Sequence, residues 1–174
     1  QCAQNIRVMY AFIGGADVTN AFAGALTSPA ATGNQTYTAP GFQGDFMMIG
    51  TAGTTTYSSG SPLRLSYGWA DGTSEGVVGL VSENIVTTSD TGVYSRPDEV
   101  TAGMASPSSI VERSKFVAYT STGFTLNWTE VVASAVIYPY LVLKGGQYHV
   151  DEFTTLTTTG AITSEQSSAG FTPR

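Results

Sequence analysis

Residues 123–130 read GFTLNWTE. In an extended chain Phe124, Leu126 and Trp128 fall on one side, and Thr125, Asn127 and Thr129 on the other. Strand side chains alternate between faces, so this octet reads as a strand with one face buried and one in water. Upstream, SKFVAYTST (114–122) alternates Phe116 and Ala118 against Val117 and Tyr119. Downstream, AVIYPYLVLK (135–144) is a continuous apolar run of strand length, as expected of a strand covered on both faces. Pro139 inside it predicts an edge position or a bulge, because proline has no N–H for a ladder. DFMMIGTA (45–52) and SPLRLSYGWA (61–70) add two more strands.

Turn signals separate these runs: TGNQ (32–35), APG (39–41), SSGSP (58–62), ADGTSEG (70–76), SDTG (89–92) and STG (121–123). Helical spacing is weak. DEVTAGMASPSSIVERSK (98–115) predicts one helical turn near Asp98, ended by Gly103 and Pro107. Short strands with frequent turns predict an all-β fold, an antiparallel β-sandwich of jelly-roll-like or immunoglobulin-like kind. At 174 residues one β domain over 1–174 is expected. The expected core is Phe42, Phe46, Met48, Leu65, Phe116, Phe124, Leu126, Trp128, Leu141 and Leu143.

The composition narrows the function classes. Charged residues make up 11% of the chain, less than half the usual share, while 41% is hydrophobic. Ser, Thr, Gly and Ala fill the difference, so hydroxyls and amides hold the surface in water. That balance suits extracellular β-structures and virion or fibre proteins. The net charge is −6, and the seven Lys and Arg are scattered, which argues against nucleic acid as a partner. No stretch has the ~20 apolar residues of a membrane span, so no membrane partner is expected. QCAQNIRV (1–8) lacks the apolar run of a signal peptide, which implies a leader already removed or never needed. The single cysteine, Cys2, forms no internal disulfide and is read as an inert terminal thiol.

One phrase occurs twice. MYAFIGGADV (9–18) and YLVLKGGQYHV (140–150) are each an apolar run closed by Gly-Gly and followed by a polar restart. Placing Gly14-Gly15 on Gly145-Gly146 sets Met9–Phe12 on Tyr140–Leu143, and Thr32-Gly33 near Thr159-Gly160. Gly41-Phe42 then lies near Gly170-Phe171. Residues 6–43 and 136–174 therefore read as related segments of a tandem repeat cut out of register. A sandwich needs a given strand once, so the surplus version, Ile6–Ile13, predicts either an internal duplication or strand exchange between copies. The assembly residues expected on this reading are Val8, Tyr10, Phe12, Tyr140, Leu141 and Leu143.

GFTLNWTE, YLVLKGGQYHV, TTTG and GFTPR, in that order, resemble a tandem repeat of structural proteins of bacteriophages and prophages. There a GFTLNWT strand leads into a YLALKGGQYKVG-like strand pair, and STGNQ…GFQPK opens the next unit. The resemblance covers Gly123–Trp128, Tyr140–Val150 and Asn34–Gln43. Between Thr51 and Ser114 only LSYGWADG echoes the family. Gly44 and Asp45 stand where the family has Pro and Lys. The resemblance implies a virion or tail-associated part, located in a virion or extracellularly, and brings no catalytic residues.

Enzyme signatures are lacking. His149 is the only histidine, so no His-rich metal site is expected, and no nucleophile elbow, zinc motif or phosphate loop occurs. Candidate carboxylate pairs for glycoside hydrolysis are Asp98–Glu99, Asp151–Glu152 and Asp71 with Glu75. Adjacent strand residues point to opposite faces, which disfavours the first two. No catalytic residue, metal or cofactor is expected. The rival is an adhesin or receptor-binding module for a cell-surface glycan. Its residues would be Tyr67, Trp69 and Asp71 beside the ADGTSEG turn, with Tyr57 and Tyr94 as further aromatics. Against it stands Trp69 as a core residue at a strand end, the reading preferred here. The sequons at Asn34 and Asn127 matter only in a eukaryotic secretory pathway.

Overall fold

The computed structural model describes residues 16–53, 63–83 and 90–148. These form ten strands: β1 Val18–Thr27, β2 Gly33–Tyr37, β3 Phe46–Thr51, β4 Leu63–Ala70, β5 Glu75–Glu83, β6 Asp90–Arg96, β7 Thr101–Ser106, β8 Ser109–Thr120, β9 Gly123–Glu130 and β10 Ile137–Gly145. A large sheet runs β1-β10-β3-β4-β5-β6 and a small one β2-β9-β8-β7, all neighbours antiparallel. The fold is all-β and sandwich-like, with no helix among the described residues.

Two expected turns are strands: TGNQ supplies most of β2, and DTG begins β6. The helical turn expected near Asp98 is absent. Residues 101–120 form the β7–β8 hairpin instead, with Pro107 and Ser108 in its turn. Pro139 lies in a strand that is interior to the sheet. The β3 ladder nevertheless ends at Tyr140, so at Pro139 the strand is paired to β1 alone.

The core lies between the sheets. From the small sheet come Phe124, Leu126 and Trp128, all fully buried as the alternation of GFTLNWTE requires. They meet Met47, Ile49, Tyr138, Tyr140 and Val142 of the large sheet. Phe124 stands edge-on to Tyr140 at 5.2 Å, and Trp128 edge-on to Tyr138 at 5.5 Å. The Trp128 indole N–H donates to the Tyr37 hydroxyl at 3.0 Å. At β4 the packing is tight: a Cβ on Gly68 would collide with the Val100 carbonyl oxygen, so this position admits no side chain.

The expected core needs correcting on the large sheet. Phe42 and Phe116 pack against the core from partly exposed positions. Phe46, Met48, Leu65, Leu141 and Leu143 share the register of the opposite, outer face, because Met47, Val142 and Ser66 take the inner one. Of these only Leu143 is buried, and it lies outside the core cluster.

Where the chain crosses between sheets, β1 and β10 leave the large sheet side by side. The Ser28 N–H donates to the Val136 carbonyl at 2.9 Å, and the Val136 N–H donates to Ser28 Oγ at 2.8 Å. Ser28 Oγ in turn donates to Oε1 of the fully buried Glu112 at 2.6 Å, and the Tyr138 hydroxyl donates to Oε2 at 2.9 Å. A buried carboxylate is tolerated only when its oxygens are hydrogen-bonded, and both are. Burial first, then the neighbouring carboxylate, holds the Tyr138 phenol well above its ordinary pKa.

The Gly-Gly motif has a structural cause. Gly145 and Gly146 both have left-handed backbones, at φ 80° and 82°. Gly145 N–H donates to Asp45 Oδ2 at 2.7 Å, and a Cβ there would strike the Asp17 carbonyl oxygen. The pair lets β10 turn away where β1 begins beside it.

Candidate functional site

The outer face of the large sheet is the feature that calls for a functional account. Its register positions are Ala21, Ala23 and Ala25 in β1, and Pro139, Leu141 and Leu143 in β10. Next come Phe46, Met48 and Gly50 in β3, then Leu63, Leu65, Tyr67 and Trp69 in β4. Gly76, Val78, Leu80 and Ser82 of β5 and Thr91, Val93 and Ser95 of β6 continue it, with Thr27 and Ile137 at the paired ends of β1 and β10. No Asp, Glu, Lys or Arg occupies this face of the six strands. The charged residues of these strands, Arg64, Glu75, Glu83, Asp90, Arg96 and Lys144, all have the opposite parity.

Two of the proposed glycan residues share this face. Tyr67 and Trp69 are two apart on β4, and each rests against a cross-strand glycine. A Cβ on Gly50 would come within 2.9 Å of the Tyr67 ring, and one on Gly76 within 3.1 Å of the Trp69 indole nitrogen. An aromatic ring laid over a cross-strand glycine restores packing that the glycine lacks. Trp69 is thus half-buried on the outer face and is not a core residue, contrary to the preferred expectation. The inner positions beside it are the small Gly68 and Ala70. Bulk and burial are uncoupled in this strand, and the sequence offered no sign of that.

Asp71 belongs to a turn. Its Oδ1 accepts the N–H groups of Thr73 and Ser74 at 2.9 and 2.8 Å, an Asx-type arrangement that orders ADGTSEG. Beside Tyr67 runs an open groove of about 320 Å³, lined chiefly by Ala23, Met48, Gly50, Tyr67, Pro139 and Leu141. Its lining side chains carry no amide, carboxylate or ammonium. Tyr67 remains 49% exposed and Met48 39% exposed. At one corner the face is closed: the Tyr148 ring stacks on Phe46 at 4.8 Å.

Of the assembly residues, Tyr140 faces the core while Leu141 and Leu143 face outward, and all three belong to a strand flanked by β1 and β3. Val8, Tyr10 and Phe12 lie outside the described residues, as do Tyr57, His149, Asp151 and Glu152. Tyr94 donates to Glu99 at 2.6 Å from the inner side of β6, at the seam between sheets.

The candidate carboxylates are engaged elsewhere. Glu99 also lies 3.6 Å from Arg113, and Asp98 pairs with Lys115 at 2.8 Å. Glu75 accepts the Phe116 N–H, and burial raises its carboxyl above the usual range. Among the described residues no group of His, Cys, Asp and Glu is arranged to hold a metal ion. The outer face offers apolar contact and little to act on a bond. Comparison with known protein families, with characterised proteins and with solved structures yields no match.

Proposed function

We propose that this chain is a non-enzymatic structural component of a virion-type particle or extracellular fibre, assembling with other copies through β-strand contacts. The observation that carries the reading is the place of β10. It is the strand of which the sequence holds a second version, and it fills a slot paired on both sides, by β1 and by β3. Aligned on the Gly-Gly pairs, Val8, Tyr10 and Phe12 correspond to Pro139, Leu141 and Leu143. Two segments of one chain thus suit one slot, and a surplus strand of that kind is what exchange between copies requires. The charge-poor, Ser/Thr/Gly-rich composition and the resemblance to phage repeats favour a virion or fibre setting.

The test removes residues 1–15. The truncated chain is expected to stay folded, to stop polymerising, and to recover assembly when residues 5–15 are supplied as a peptide. Unfolding of the truncated chain, or polymerisation without the segment, overturns strand exchange. A glycan reading draws on the shared face of Tyr67 and Trp69. It is less well supported, because the side chains lining the neighbouring groove include no amide or carboxylate to fix a sugar's hydroxyls.

A further inference from the structure

We infer that the outer face of the large sheet is covered by the same face of a second copy, in a two-fold contact that seats Tyr67 of each copy in the groove of the other. This inference does not depend on strand exchange: it concerns a sheet face, whereas exchange concerns a strand slot.

Size is the first argument. Six strands spaced ~4.8 Å apart, each about eight residues long at ~3.3 Å per residue, give a face on the order of 600 Å² in projection. A soluble monomer seldom leaves an apolar patch beyond a few hundred Å², and a standard interface takes about 800 Å² from each partner. Among the described elements the small sheet meets the large sheet on its inner side, through Val100 against Gly68, Phe124 against Tyr140 and Trp128 against Tyr138. Val78 is 43% exposed and Val93 80% exposed.

Charge selects the occupant. Each copy carries a net charge of −6, so most approaches of two copies set like charges against each other. The outer face has no charged position, and two copies can meet there without that repulsion. A membrane surface would be met by Lys and Arg around the apolar residues, and this face has none.

Relief and residue type agree with a self-complementary contact. A two-fold interface applies one patch to itself, so a projection and a recess must lie on the same surface. Tyr67 projects beside the groove, and the floor under its ring is Gly50, close to where the axis would pass. Tyr, Trp and Met are the residues enriched in interface cores, and Tyr67, Trp69 and Met48 stand together here. The sequence pattern agrees as well. β10 is apolar on both faces, as in a strand covered on both sides, and the sandwich covers one.

The experiment uses the full chain with Cys2→Ser as background. Tyr67→Cys and Ala23→Cys versions are mixed and oxidised, with Thr36→Cys on the other outer face as control. A disulfide-linked pair from Tyr67→Cys with Ala23→Cys, and none with Thr36→Cys, is expected. In parallel Met48→Lys and Val78→Lys are expected to keep the strand circular dichroism while weakening the dimer at least ~10-fold by sedimentation equilibrium. A folded monomer of the parent chain overturns the inference, whether its Tyr67 is open to solvent labelling or protected by its own chain. A dimer that forms without the Tyr67–Ala23 cross-link overturns it too. The cross-link is read on the full chain, with residues 1–15 in place, so it forms whatever the truncation shows of strand exchange, and the two failures are distinguishable.

Discussion

The sandwich has two outer faces, and they are finished differently. On the small sheet Asn34 and Thr36 of β2 sit opposite Asn127 and Thr125 of β9, with the Thr36 and Thr125 hydroxyls 2.9 Å apart. Arg113 and Lys115 on β8 pair with Glu130 and Asp98 at 2.7 and 2.8 Å. That face meets water with amides, hydroxyls and ion pairs. On the large sheet the equivalent positions are mostly alanine, leucine, methionine, valine and the aromatics Phe46, Tyr67 and Trp69, with hydroxyls only toward its margins at Thr27, Ser82, Thr91 and Ser95. Its charged side chains have the inner parity, and Arg64 Nη2 donates across the seam to the Ala105 carbonyl at 2.9 Å. One face is completed by solvent. The other is complete only against another surface.

The comparison can be broken at its strongest point first. Trp128→Ala empties a fully buried site between the sheets and is expected to cost about 3–5 kcal/mol, read from the urea midpoint. A loss below about 1 kcal/mol there would mean that the inner face is not the main core. Next, Glu112→Ala removes the acceptor shared by Ser28 and Tyr138 and leaves both hydroxyls buried, for a cost on the order of 3 kcal/mol. A neutral result would show that the crossover does not rely on this network.

Alkali tests the inner side as a whole. Burial pushes the Tyr37 phenol up to about 12, against 10.0 when unfolded, and also raises Tyr119 and Tyr138 well above their ordinary value. A folded pKa above the unfolded one leaves stability whole below pH 10 and lowers it as pH rises from 10 through 12, because the unfolded chain loses those protons more readily. Denaturation midpoints measured along that range should fall, and a flat profile would contradict the burial of these rings.

On the outer face the effects shrink. Trp69→Ala should cost about 1 kcal/mol or less in the monomer, since the ring lies over Gly76 at the surface. Its expected signature is weaker self-association. A Trp69 loss equal to that of Trp128 would erase the distinction between faces. Smallest is Thr36→Ala, about 0.5 kcal/mol through its cross-strand hydroxyl contact.

The same contrast explains what could be read from the sequence. In GFTLNWTE one parity is apolar and the other polar, so the inner face was legible and Phe124, Leu126 and Trp128 fell where expected. FMMIGT and LRLSYGWA carry apolar residues on both parities. There the larger side chains, Phe46, Met48 and Leu65, suggested the core, while the structure buries Met47, Ile49 and the small Ser66 and Ala70. Parity cannot be decided when both faces are apolar, and that ambiguity is itself the mark of a sheet with a second surface to cover. β2 and β6 were missed because Gly, Asn, Asp and Thr are turn formers by local chemistry, and ladders to β9 and β5 overrode it. The Glu112 network had no local signal, since Ser28 lies 84 residues away in sequence.

The corner where Ser28 meets Val136 also joins strands far apart in the chain. β1 pairs with β10 and β2 with β9, so the two earliest described strands find their partners only in the two latest. A contact such as Thr19 to Lys144 closes a loop of 125 residues, and its entropy must be met before any of those ladders forms. The meanders β3–β6 and β7–β9 can assemble as the ribosome delivers them, each strand joined to its neighbour in sequence. β1 must wait, with one ladder unmade, until residues 137–145 emerge. During that interval a nascent β1 presents an open edge, and the first matching strand to arrive, from its own chain or from a neighbour on the same message, decides whether a closed subunit or a linked pair leaves the ribosome.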